Sequence, residues 1–292
     1  MGRPQGYQNL PRLPRIALGV LAGLPLWFLQ RMGSLLGWAI YGISPTYRRH
    51  LRQNLERAGY RDANVRRAAI AHAGQMLLET PAMWLRPQNE VAALVRAVDG
   101  MAALDAARAQ GKALLLLTPH MGCFEIAAHY AARELPITVL YRPPKLAWLD
   151  RLMRAGRGRG GVRLAPANRR GVREVFAALK RREAVGFLPD QVPGAGEGEW
   201  EPFFGELAYT GTLAPKLARR PDVACFLAYA ERLPRGGGYR IALRPLPPPL
   251  VNESPVRHLN RVLEELIRQR PEQYLWGYNR YKTPAGAKPK PA

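Results

Sequence analysis

The sequence predicts an α/β fold: a mostly parallel central sheet flanked by helices, preceded by a membrane-anchoring helical segment. Three observations carry this. Ala113-Leu114-Leu115-Leu116-Leu117 is a continuous apolar run closed by Thr118-Pro119, the pattern of a strand buried on both faces, as in parallel sheets. From about Met101 onward, short apolar runs alternate with helical periodicity, which implies βαβ units. Near the amino terminus, Ile16–Leu29 is apolar but interrupted by Pro25 and ended by Gln30-Arg31, before Leu35–Ile43 resumes the pattern. Neither half reaches the ~20 apolar residues of a spanning helix.

Taken in order, residues 1–44 read as a hydrophobic membrane anchor, either a poor single span or a hairpin lying in the interface. Arg3, Arg12 and Arg15 precede its apolar run at Ile16, and Arg48, Arg49 and Arg52 follow Ile43, so flanking charge does not orient it. No convincing small-x-small cleavage site follows the run, so a cleaved signal peptide is discounted. Ser44-Pro45 reads as a helix start, with Ser as N-cap and Pro at the first helical position. Tyr47–Leu85 reads as two helices split at Gly59-Tyr60, with Asp62 as the second cap, and 45–100 is a helical segment. The α/β core spans 101–284. Strands are expected at Ala113–Leu117, Ile137–Tyr141, Val162–Ala165, Ala184–Leu188, Val223–Tyr229 and Tyr239–Arg244. Helices are expected at Phe124–Arg133, Ala147–Ala155, Arg169–Arg182, Leu213–Arg219 and Pro255–Arg270, and 285–292 as a disordered tail.

Forty-four Lys and Arg against 22 Asp and Glu give a net charge of +22, spread along the whole chain. Such a field favours an anionic partner: nucleic acid, an anionic membrane surface or an acidic protein. No nucleic-acid-binding fold signature or aromatic-interleaved basic patch accompanies it, so nucleic acid is not the expected partner. Cys123 and Cys225 lie in apolar segments and read as packing residues in a reducing compartment.

His120 falls at the carboxyl end of the buried strand, where open α/β sheets build their sites. Glu125 follows at the head of a helix. Residues five apart on one regular helix are about 140° apart, so the two meet only if His120 precedes the helix and the chain bends, which Gly122 permits. A histidine oriented by a carboxylate is a general base; the alternative is a buried histidine satisfied by a neighbouring carboxylate. His120, Glu125 and His129 lie close in sequence, but no H-E-x-x-H or Cys-rich pattern supports a metal. None of the three serines sits in a G-x-S-x-G elbow. Gly156–Gly161 matches the G-x-G-x-x-G string, but it follows a helix and precedes a strand, the inverse of a dinucleotide loop. Two arginines on a flexible turn suit an anionic group better.

His120–Glu125 resembles the H-x-x-x-x-[DE] signature of glycerolipid-type acyltransferases. In the same order come Tyr141-Arg142-Pro143, the Arg-bearing turn at 156–159, Pro189-Asp190-Gln191, Phe203-Phe204-Gly205 with Ala208-Tyr209-Thr210, and a closing block from Gln273 to Lys282. Together these resemble the lipid A late acyltransferases of Gram-negative bacteria over residues from about 10 to 284. Tyr278 and Arg280-Tyr281 depart from that family's closing block. The resemblance implies transfer of a fatty acyl group from acyl carrier protein to a hydroxyl of a lipid A precursor, on the cytoplasmic side of the inner membrane, with no cofactor. It implies His120 as base, Glu125 as its orienting carboxylate, and Arg142, Arg157, Arg159 and Asp190 as substrate-binding positions. Main-chain amides near Gly122–Phe124, or Arg157, would face the oxyanion. Two alternatives stay open: an actinobacterial phosphatidylinositol mannoside-type acyltransferase using acyl-CoA, and a basic membrane-binding protein without chemistry.

Overall fold

The computed structural model describes residues 5–8 and 10–291; Arg3 of the basic flank and Ala292 of the tail lie outside the described residues. The helical part comprises α1 (Gln5–Gln8), α2 (Arg12–Gly23), α3 (Leu26–Ile43), α4 (Pro45–Arg57), α5 (Ala63–Leu85) and α6 (Gln88–Ala93). The core then runs β1 (Val95–Asp99), α7 (Met101–Ala109), β2 (Ala113–Leu117), α8 (Phe124–Ala131), β3 (Ile137–Tyr141), α9 (Ala147–Arg157), β4 (Val162–Pro166), α10 (Arg169–Lys180) and β5 (Ala184–Phe187). It closes with β6 (Gly198–Phe203), β7 (Glu206–Gly211), α11 (Leu213–Ala218), β8 (Val223–Arg232), β9 (Tyr239–Pro245) and α12 (Pro255–Ile267).

Seven strands form one sheet in the order β1-β9-β8-β2-β5-β3-β4, while β6 and β7 make a separate antiparallel hairpin. Every neighbouring pair in the large sheet is parallel except β8 with β9. The expected parallel sheet is therefore present with one antiparallel step. β1 also places the start of the sheet before Met101, and the hairpin occupies a stretch expected to hold no strands. The apolar run of β2 divides by alternation. Ala113, Leu115 and Leu117 pack with α4, α10, α11 and α12. Leu114 and Leu116 pack on the other side with residues of α2, α3, α8, α9 and the end of α5.

The helix starts are those expected. Ser44 Oγ accepts from the Tyr47 amide at 3.3 Å, and Asp62 Oδ1 accepts from the Asn64 amide at 2.8 Å. The amino-terminal segment differs from an appended anchor. Among the described residues no helix is long and apolar enough to cross a membrane, because α2 has 12 residues and α3 has 18 with Gln30 and Arg31 inside it. Instead α3 lies against α5. Gly33 and Gly37 cross Gly74 so closely that a Cβ on Gly74 would sit 2.0 Å from the Gly33 carbonyl oxygen. Leu29 is fully buried, and Tyr7, Leu10 and Ala22 join the same core. The opposite face leaves Trp27, Phe28, Met32, Leu35 and Trp38 exposed. Among the described residues after 284 no helix or strand forms, but the Trp200 Nε1 donates to the Lys288 carbonyl at 3.0 Å and Lys290 reaches Glu206 at 3.1 Å.

Candidate active site

Strand register builds the centre of the site. Leu117 of β2 lies beside Phe187 of β5. His120 and Asp190 each follow three residues later and leave the sheet side by side. The His120 Nδ1 lies 2.8 Å from Asp190 Oδ1, and the His120 amide donates to Oδ2 at 2.9 Å. Burial by itself would raise the Asp190 carboxyl, but the imidazole and the main-chain amides hold it below its ordinary value. An ionised Asp190 requires a donor at Nδ1, which leaves Nε2 as the acceptor. Gln191 Nε2 lies 3.2 Å from that nitrogen, and the Phe124 ring packs edge-on against the imidazole. Tyr274 is buried beside Asp190, which together push its phenol well above the ordinary value.

The turn after His120 is held from three directions. Leu275 N–H donates to the His120 carbonyl at 3.0 Å, Gly122 N–H to Gln273 at 3.0 Å and Cys123 N–H to Ala230 at 2.9 Å. Gly122 takes φ +59°, and a Cβ there would meet the Ala230 carbonyl oxygen at 2.0 Å, so only glycine fits. Beneath it lies a buried ion pair. Arg232 Nε donates to Glu79 at 3.0 Å and Nη2 donates both to Glu79 and, at 3.2 Å, to the Gly122 carbonyl. Tyr239 donates to Glu79 at 2.9 Å, and Gln273 brackets the Arg232 main chain.

Glu125 does not meet His120, contrary to the expected dyad. It opens α8 and lines the same cavity as His120, but Arg157 grips it through Nε at 2.9 and 3.0 Å and through Nη2. Trp84 Nε1 adds a bond at 2.9 Å. Burial raises this carboxyl, and Arg157 and Trp84 outweigh that and lower it. The physical reason is the helix geometry. The bend at Gly122 carries the chain into α8, and Asp190 already occupies the side of the ring that Glu125 was expected to take. Arg157 is correspondingly spent: its Nη1 donates to Met153 Sδ at 3.2 Å. Arg159, expected at the acceptor's approach, donates instead to the carbonyls of Gly156, Arg86 and Met83 at 3.1, 2.6 and 2.8 Å. The glycine-rich turn is thus an internal clasp on the end of α5.

His120 opens onto a cavity of about 650 Å³, within the usual range for ligand sites. Its walls include Val139, Leu140, Met153, Leu164, Val172 and Leu213. A narrow apolar cleft continues beneath α8, sharing Phe124, Ala128, Val139, Phe187 and Leu188 with the main cavity. Arg142 stands on the rim, exposed. His129, also against the cavity, is buried; burial and the neighbouring arginines lower it to about 4, so the ring is neutral. Cys123 is buried and its thiol is pushed well above the ordinary value, which removes the thiolate a covalent mechanism needs. Among the described residues no group of three His, Cys, Asp or Glu side chains is placed to hold a metal ion.

The closing block acts as a brace. Arg280 is buried and donates to the Tyr209 carbonyl at 2.9 Å, Tyr281 donates to Phe203 at 2.9 Å, and Tyr278 accepts from the Val192 amide at 3.0 Å. Glu79, Trp84 and Arg232 escaped the sequence reading; the available signal was a lone carboxylate in the apolar stretch Met76–Leu85.

A histidine paired with a buried carboxylate at the strand ends, beside a large and mainly apolar cavity, is an arrangement able to move a proton next to an apolar ligand. The chain matches the family described as bacterial lipid A biosynthesis acyltransferase over residues 13–283, and it belongs to that family. The lipid A biosynthesis lauroyltransferase of Escherichia coli (strain K12) is 31% identical over 215 residues, covering 72% of this chain and 69% of that protein. The palmitoleoyltransferase of the same organism is 29% identical over 213 residues, with 72% and 69% covered. A lipid A biosynthesis acyltransferase of Haemophilus influenzae is 24% identical over 272 residues, covering 89% of this chain and 86% of that protein. The expected family is borne out, and the protein is an O-acyltransferase of lipid A biosynthesis.

Proposed function

We propose that this protein transfers a fatty acyl chain from the thioester of acyl carrier protein to a hydroxyl of a lipid A precursor, with His120 as general base and Asp190 as the carboxylate that orients it. The observation that carries this is the His120–Asp190 pair, 2.8 Å apart, with Nε2 beside Gln191, which lines the same cavity. An alcohol of high pKa needs a base within hydrogen-bond reach as it attacks. The acceptor oxygen bonds to the thioester carbonyl carbon while its proton passes to Nε2. Collapse of the tetrahedral intermediate breaks the C–S bond, and the imidazolium returns the proton to the departing sulfur. No acyl-enzyme forms.

The expected oxyanion donors narrow. The Gly122 and Cys123 amides are already bonded and Arg157 is held by Glu125. The Phe124 amide, at the first turn of α8, has no partner among the described residues and faces the developing charge in this reading. Glu125 serves by locking α8 to α9 through Arg157. The apolar walls and the cleft beneath α8 suit the fatty chain, and the +22 charge suits an acidic carrier protein. The exposed Trp27, Leu35 and Trp38 face of α3 suits a hairpin lying on the inner membrane.

The test is transfer from acyl carrier protein to a purified precursor by His120→Ala, Asp190→Asn and Cys123→Ala proteins of matched stability. Loss of the base costs roughly 10² to 10⁴-fold, and Asp190→Asn lowers kcat at least about 10²-fold through the wrong tautomer. Cys123→Ala keeps most of its activity. Near-wild-type turnover by His120→Ala sinks the mechanism.

A further inference from the structure

We propose that the mouth of the cavity is a binding site for a lipid-borne phosphate, formed by Arg142, Arg169 and Lys216. This deepens the acyl-transfer reading by saying which part of the acceptor is held, and where. The three residues come from separate elements. Arg142 follows β3, Arg169 is the first residue of α10 after β4, and Lys216 lies on α11. All three are exposed and all line the cavity that His120 lines. Arg142 and Arg169 stand with His120 and Gln191 where the chain leaves the carboxyl ends of parallel strands, the usual position for ligand sites in open α/β sheets, and Lys216 lines the same cavity from α11.

Their side chains are uncommitted. None of the three has a hydrogen-bond or ion-pair partner among the described residues. Arg157 and Arg159 carry the same charge nearby, but Glu125 and three carbonyls consume them. The carboxylate on the rim, Glu197, accepts from the Gly194 amide at 3.0 Å. Asn168 spends its Oδ1 on the Arg170 and Gly171 amides. Free cations around an apolar cavity fit an amphiphile whose chains enter and whose dianionic head stays at the mouth. Arginine adds a planar fork that meets phosphate oxygens in pairs.

The loop rooted at Arg142 says how that phosphate arrives. Leu146 is 55% exposed and Trp148 38% exposed, beside the exposed Lys145. Apolar tips flanked by a cation are the composition of a segment that dips into a lipid surface. α9, which carries Trp148, packs through Leu152 into the same core as Leu26 and Leu29 of α3. The loop therefore belongs to the layer that exposes Trp27 and Trp38.

The experiment uses the full chain and a triple variant, Arg142→Gln/Arg169→Gln/Lys216→Gln, against a charge-matched control, Arg173→Gln/Lys180→Gln/Arg219→Gln. KM for the acceptor is measured with a phosphorylated lipid A precursor and with the same lipid after phosphatase treatment. A donor arm compares acyl carrier protein with an acyl-N-acetylcysteamine, which has no phosphate. The expected result is a rise in KM for the phosphorylated acceptor of about 10- to 100-fold in the triple variant, the scale of lost charge-assisted hydrogen bonds, with kcat within about threefold. The gap between variant and control closes when the acceptor lacks phosphate. A defect that closes only when the donor lacks phosphate overturns the lipid assignment, and one indifferent to both phosphates overturns the site. Binding to phosphatidylcholine vesicles with and without phosphatidic acid needs no turnover. If the wild type transfers no acyl group but only the triple variant loses the phosphatidic acid dependence, acyl transfer fails and the phosphate site stands.

Discussion

Replacing Arg232 with methionine removes one half of an ion pair whose side chains are 2% and 1% exposed. Among the described residues Glu79 would keep a buried charge with only the Tyr239 hydroxyl, 2.9 Å away, to satisfy it. Breaking such a pair from one side costs about 3–5 kcal/mol, a large share of the roughly 5–15 kcal/mol that holds a domain together. Removing both charges, as in Glu79→Met/Arg232→Met, spares the stranded carboxylate. It still takes a partner from the Tyr239 hydroxyl, the Gly122 carbonyl and His72 Nδ1, at about 1–3 kcal/mol for each group left buried and unpaired. The double variant should therefore be more stable than Arg232→Met alone. It should also turn over more slowly than wild type, because the Gly122 carbonyl that Arg232 holds at 3.2 Å anchors the turn bearing His120. Urea unfolding of the four proteins in the cycle gives the coupling, and kcat with a saturating acceptor gives the effect on the site. Additive losses, or an Arg232→Met cost under about 1 kcal/mol, would refute the argument.

Four further outcomes can be checked. Gly122→Ala should misfold the turn and abolish transfer, since the new methyl meets the Ala230 oxygen at 2.0 Å; crystallography or activity close to wild type would show otherwise. Acid should destabilise the fold between about pH 6.5 and 4. Burial and the neighbouring arginines hold His129 at about 4, so the unfolded chain takes up its proton first; this residue's contribution is complete above 6.5 and about 3 kcal/mol of it is lost by pH 4, to which buried His72, lowered to about 3, adds. A His129→Gln protein whose thermal midpoint keeps the same slope over that window would remove this cause. Trp27→Glu/Leu35→Glu/Trp38→Glu should release the protein from vesicles without lowering its melting temperature, because these side chains face outward. Deleting residues 1–43 should instead unfold it, because Leu29 and the Gly33–Gly74 crossing belong to the core.

Much of the fold was legible from short-range pattern. The apolar run 113–117, the Ser44 and Asp62 caps and the helical periodicity of 255–267 each reflect preferences decided within one or two turns of chain. β1 and the β6–β7 hairpin were not legible, because Val95–Asp99 and Gly198–Phe203 are mixed in polarity and take their shape from partners far along the chain. The six blocks sufficed for the family, since their order is a property of the chain itself.

His120 could be placed from the sequence because a strand end is a local event. Its partner could not. Asp190 reaches the ring because β5 pairs with β2 in a register that sets Phe187 beside Leu117, and a contact across seventy positions is fixed by sheet order, not by spacing. The same holds for Glu125. Its five-residue separation from His120 suggested a pair, whereas the side of α8 it occupies gives it to Arg157 and Trp84. The sequence determined which charges the protein carries; the packing of α5, α8 and α9 decided that Arg157 and Arg159 are used internally while Arg142, Arg169 and Lys216 face the cavity mouth.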